Sequence, residues 1–170
     1  MAAMSLLLLA LAAAAAGDAD PLARARAGEA QCFHPDVLFK TCLSLEKYVV
    51  AADGSYVNRG ANVVALDSLY VIETEVPVQV RGNAVCATMG PNHVMAGKVT
   101  LSGKPVAPEK ATAVAADLRK KLAGVLGKEI CTTYQANGEG YLANMKIAGK
   151  PNMASPFIWV KPGDGYKVGP

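Results

Sequence analysis

Cys86-Ala-Thr-Met-Gly-Pro-Asn-His-Val-Met-Ala-Gly-Lys-Val-Thr-Leu-Ser-Gly-Lys-Pro105 and Cys131-Thr-Thr-Tyr-Gln-Ala-Asn-Gly-Glu-Gly-Tyr-Leu-Ala-Asn-Met-Lys-Ile-Ala-Gly-Lys-Pro151 read as one pattern written twice. With one residue inserted in the second copy, each runs apolar-Cys-x-Thr, a Gly/Asn turn, an alternating strand and Gly-Lys-Pro. That chemistry predicts a β-hairpin in each copy, turning at residues 90–93 and 137–140. Between the copies lies the one clear helical pattern, residues 108–126. Pro108 and Glu109 open it and Lys120 and Lys121 come late, which suits the backbone dipole. Val114, Leu118, Leu122 and Val125 share one face, widened by Ala111 and Ala115, and Gly127 stands where a left-handed cap would end the helix. The fold class expected is α+β: an antiparallel β-rich domain with one main helix, about 108–126, between two similar Cys-containing β-hairpins. Ser/Ala-Gly-Lys-Pro is also ordinary turn chemistry, so coincidence competes with duplication.

The chain outside the copies is rich in strand signals. Pro35 followed by Asp36 suits the first turn of a helix, so a short turn or helix is expected through Cys42. A strand over 43–51 follows, with Leu43, Leu45, Lys47 and Val49 on one face, and Asp53-Gly54 is a hairpin turn. The return strand is 55–58, Arg59-Gly60-Ala61-Asn62 reads as the next turn, and 63–66, 69–76 and 78–81 read as further strands. Pro77 has no N–H for a ladder and marks an edge or a strand start. After the second copy come a strand at 156–160, a turn at 161–165 and a short pairing at 166–168.

The amino terminus sets the compartment. Residues 5–16 are almost wholly Leu and Ala, and Gly17-Asp-Ala-Asp-Pro21 follows. A run this short cannot span a bilayer, which takes about twenty residues, but it fits a signal peptide over 1–16 with Ala14-Ala-Ala16 before the cut. No Lys or Arg precedes it, a departure from the usual pattern. Residues 17–31 then form a flexible Ala-rich lead-in, and 32–170 a single disulfide-stapled α+β domain. Four cysteines in an exported chain predict two disulfides, and the equivalent places of Cys86 and Cys131 favour the pairs Cys32–Cys42 and Cys86–Cys131. The composition has a bacterial look, so the chain is expected in the periplasm or secreted, without a stable membrane span once the signal is cleaved.

Charge excludes little and suggests less. The 17 basic and 14 acidic residues are mixed, and the densest run, Arg119-Lys-Lys121, is a solvated helix face. Nucleic acid is not indicated. Hydrolysis needs a nucleophile and a base, and only His34 and His93 offer imidazole bases. The sequence has no Gly-x-Ser-x-Gly, His-Glu-x-x-His or P-loop motif. A copper site is a sharper alternative: Met89, His93 and Met95 are soft and imidazole donors within seven residues. On a strand, His-x-Met would share one face. An aromatic set, Tyr134, Tyr141, Trp159 and Tyr166, makes a candidate binding face, although aromatics at alternating strand positions also build cores. The function expected is therefore an exported non-catalytic binding or structural protein of the bacterial envelope, acting on an envelope protein or ligand with no required cofactor. A periplasmic copper protein and a small secreted hydrolase are the alternatives.

Overall fold

A computed structural model describes residues 20–51, 54–65 and 69–170; the signal segment 1–16 and Asp53 of the Asp-Gly turn lie outside the described residues. The strand signals resolve into β1 (Ala30–Asp36), β2 (Thr41–Val50), β3 (Tyr56–Ala65), β4 (Tyr70–Arg81) and β5 (Ala84–Thr88). They continue as β6 (Lys98–Leu101), β7 (Lys104–Pro105), β8 (Glu129–Asn137), β9 (Gly140–Ile147), β10 (Lys150–Val160) and β11 (Lys167–Val168). The helices are α1 (Ala23–Arg26), α2 (Pro91–Met95) and α3 (Pro108–Lys121). The protein is thus β-rich and mainly antiparallel.

Pairing closes the sheet on itself. β1 joins β2, β2 joins β3, β3 joins β4, β4 joins β5, β5 joins β8, β8 joins β9, β9 joins β10, and β10 returns to β1, all antiparallel. The result is a barrel of eight strands with one excursion, from α2 to α3, between β5 and β8. The antiparallel, β-rich character expected from the sequence is present, and the sheet closes into a ring. Its inward face is identified by a contact across it: the hydroxyls of Tyr48 on β2 and Tyr134 on β8, strands that are not neighbours, lie 2.9 Å apart.

Both ends are covered. At one end α1 seats Leu22 and Ala25 on Val78 and Val85, beside Tyr48, Tyr56, Tyr134 and Trp159. Leu22 has no exposed surface, so these residues belong to the domain although composition placed them in a flexible lead-in. At the other end α2 and α3 pack Val94, Ala115, Leu118 and Leu122 onto Ile72 and Val99. The apolar stripe read on the helix is the stripe that packs here. The helix itself stops at Lys121, five residues short of the expected end, and Gly127 takes the predicted left-handed backbone (φ 77°), donating its N–H to the Met89 carbonyl.

Three local expectations fail for physical reasons. Pro35 does not start a helix; it lies in β1, beyond the part of that strand that β10 also pairs, where a missing N–H costs no second ladder. Gly60 is not in a turn but in the middle of β3. The first copy is not a hairpin, because Pro91 opens α2 where a turn over residues 90–93 is expected, while the second copy is the hairpin β8–β9. Pro77 behaves as read: β5 pairs β4 at 78–81 and β6 pairs it at 70–73, so that edge is open at Pro77.

Candidate ligand-binding site in the barrel

The interior is layered along the register. One row runs Trp159, Gln31, Glu46, Gly60 and Thr74 across β10, β1, β2, β3 and β4. The row towards α2 and α3 contains Phe157, Phe33, Ser44, Asn62 and Ile72, and the row towards α1 contains Tyr48, Asn58 and Val76. Polar side chains on four adjacent strands therefore form a girdle inside the ring, with aromatic side chains in its own row and in the rows on both sides of it.

Glu46 is its centre. Ser44 Oγ donates to Glu46 Oε1 at 2.5 Å, and the side-chain amides of Asn58 and Asn62 also hydrogen-bond to the carboxylate. Gly60 makes this possible, since a Cβ at that position would lie 2.3 Å from Glu46 Oε2. Burial pushes the Glu46 carboxyl above its ordinary range, against the opposing pull of the three hydrogen bonds. No cation reaches it among the described residues. Glu46 is half-buried and lies on the same inward face of β2 as Tyr48.

Gln31 is the second polar group. It has no exposed surface; its Oε1 accepts weakly from Tyr48 Oη at 3.4 Å, and its Nε2 lies beside the Tyr134 hydroxyl without a well-formed hydrogen bond. An orphaned buried donor costs about 1–3 kcal/mol. Burial also raises the Tyr48 and Tyr134 hydroxyls above their ordinary range, so both are neutral hydrogen-bonding groups.

The sequence-derived candidates fall in different places. Tyr134, Tyr141 and Trp159 meet around buried Phe157, with ring centroids 5.3, 5.4 and 5.7 Å from it. They form an aromatic cluster beside the girdle. Arg24 of α1 covers that cluster, donating to Tyr141 Oη at 3.0 Å and pairing with Glu29, which raises its pKa further. Tyr166 is separate: it packs outside the ring on the cluster of Ala30, Cys32, Cys42 and Val160. It also borders a broad open hollow of about 1380 Å³ on the outer face of β2, β3 and β4. That hollow is lined by Lys47, Arg59, Glu73, Glu75, Lys98 and Lys167, of which Arg59 and Glu75 pair at 2.9 Å, and among the described residues it contains no orphaned buried polar group.

The copper candidates lose their shared face. Met89 packs in the aliphatic cap, and His93 and Met95 lie on helix α2, where i and i+2 diverge instead of aligning as on a strand. His93 Nδ1 is occupied as well, accepting the Gly90 N–H at 2.9 Å. His34 sits in β1 with a left-handed backbone (φ 49°). Among the described residues no three His, Cys, Asp or Glu side chains converge as a metal group.

The four cysteines form the expected pairs. Cys32–Cys42 closes the β1–β2 hairpin, and Cys86–Cys131 joins directly opposed residues of β5 and β8 with Cα atoms 4.0 Å apart. Among the described residues no helix is long and apolar enough to cross a membrane. Searches of family models, curated proteins and solved structures found no match to this chain.

The girdle residues Gln31, Ser44, Glu46, Asn58, Asn62 and Thr74 were not legible as a group. The available signal was weak: Ser44, Glu46 and Tyr48 alternate on β2 opposite the face that the aliphatic residues suggested. Only the register of four strands turns that alternation into a site.

Proposed function

We propose that this is an exported, non-catalytic binding protein of the bacterial envelope, periplasmic or secreted, that holds a small molecule inside its barrel. The observation that carries the reading is the Gln31 amide, a buried donor without a well-formed hydrogen bond, beside an inward carboxylate that no cation reaches among the described residues. Both groups cost stability in the empty protein, and both are met by an occupant carrying complementary polar atoms. An eight-stranded barrel is wide enough to be filled by side chains or to hold one small ligand, and here part of the filling is polar. Export is supported by the apolar run at 5–16 and by two disulfides.

Native mass spectrometry of the full chain, purified from its exporting cell without denaturation, tests the reading. The expected result is a stoichiometric added mass that leaves on denaturation, in a protein that begins after residue 16. The same measurement on Gln31→Met is expected to lose the added mass, while the empty variant melts higher than the empty parent because the orphaned donor is gone. Empty native protein, or a Gln31→Met variant that retains the mass, would contradict it.

A further inference from the structure

Resting on that reading, we propose the chemical class of the occupant: a small primary ammonium ion that carries an acceptor oxygen close to the nitrogen. The carboxylate of Glu46 is the anchor for the charge. It already receives hydrogens from Ser44, Asn58 and Asn62, so the girdle is arranged around an acceptor and not around a donor. What that arrangement lacks is a positive charge, and among the described residues Arg24 and Arg26 are engaged elsewhere, with Glu29 and Tyr141 and with Asp20 and Tyr56.

The acceptor oxygen follows from register. Gln31 and Glu46 are directly opposed on β1 and β2, so the orphaned Nε2 and the carboxylate flank the same small volume. Directly opposed side chains stand about 5 Å apart at Cβ, close enough for one small molecule to meet both groups. A neutral diol satisfies the amide but leaves the carboxylate unpaired. A hydroxy acid brings a second negative charge against Glu46. A hydroxy- or oxo-amine satisfies both. Gly60 belongs to the same site, because a side chain there would displace the carboxylate from the place where it meets the ligand.

Three matched probes separate these classes in a titration of the full exported chain followed by NMR: ethanolamine, ethylene glycol and glycolate. Ethanolamine is expected to bind about ten- to a hundredfold more tightly than ethylene glycol at neutral pH, the factor that a charged hydrogen bond supplies, and glycolate most weakly. Glu46→Gln, with its fold checked by near-UV circular dichroism, is expected to remove the preference for the amine. Wild-type protein gives an independent readout: ethanolamine affinity falls as acid protonates Glu46, and ethylene glycol affinity does not. Equal affinity for ethanolamine and ethylene glycol, or a preference that survives Glu46→Gln, overturns the class. So does a co-purified molecule without a basic nitrogen, which leaves the binding reading intact. Native protein that is empty and takes up none of the probes overturns both.

Discussion

Residues 86–105 and 131–151 begin alike and end alike, and differ in the middle. At the start, Cys86 and Cys131 face each other across β5 and β8. At the end, Ser102-Gly103 and Ala148-Gly149 adopt the same backbone, with φ of 49° and 77° in both pairs, a two-residue turn with both φ positive. In the middle, Gly90-Pro91 opens α2 whereas Asn137–Gly140 closes a hairpin. A proline decides the difference: it cannot donate to a ladder and its fixed φ suits the first residue of a helix. The second copy therefore remains in the ring, while the first leaves it, caps one end with Val94 and returns along β4 as β6. Similar sequence gives similar joints, and one residue between the joints determines whether the chain builds wall or lid.

The largest expected effect comes from cutting the bond between the copies. Replacing both Cys86 and Cys131 by Ala is expected to cost about 4 kcal/mol in urea unfolding, against about 3 kcal/mol for the Cys32 and Cys42 pair, because the longer loop restrains more of the unfolded chain. The reverse order would mean that the copies are not held as ring neighbours. Next, Val94→Ala removes two fully buried methyl groups and should cost about 2 kcal/mol, whereas Glu139→Ala in the matching exposed turn should stay within about 0.5 kcal/mol. Equal costs would remove the distinction between lid and turn. The shared joints are sharpened by Gly103→Ala and Gly149→Ala, each expected to cost about 1 kcal/mol through the same left-handed backbone. A difference larger than the joint itself would show that the two turns only look alike.

The smallest effect separates both copies from the lumen they help enclose. Glu46 binds its proton more tightly folded than unfolded, so its contribution is fully present below the ordinary carboxylate range and is lost as pH rises through the raised folded value. Chemical denaturation of Glu46→Gln at several pH values should show that part of the dependence gone, while the cysteine variants keep it.

What the sequence made legible was mostly local. The helix stripe from Ala111 to Leu122, the left-handed Gly127, the disulfide partners and the terminal pairing of β11 follow from short-range spacing or from matching positions. Ring closure did not, because it depends on β10 meeting β1, strands more than a hundred residues apart in sequence. Gly60 shows why such features resist reading: a glycine permits a turn and also permits a carboxylate to approach, and only the partner strand tells which. Glu46 was equally opaque. Its neighbours Leu45 and Val49 looked like the core face, yet Leu45 packs outside the ring, under the C-terminal segment near Tyr166.

Closure also bears on how copies of this chain meet one another. A sheet with free edges offers a template on which a second molecule can add a strand. Here the ring consumes most edges, and β10 keeps one open over residues 150–156, before its pairing with β1 begins at Phe157. Pro151 and Pro156 stand in that stretch, and a proline offers no N–H to a ladder. The barrel is thus a poor seed for edge-to-edge polymerisation even at the segment where its seam has not yet closed.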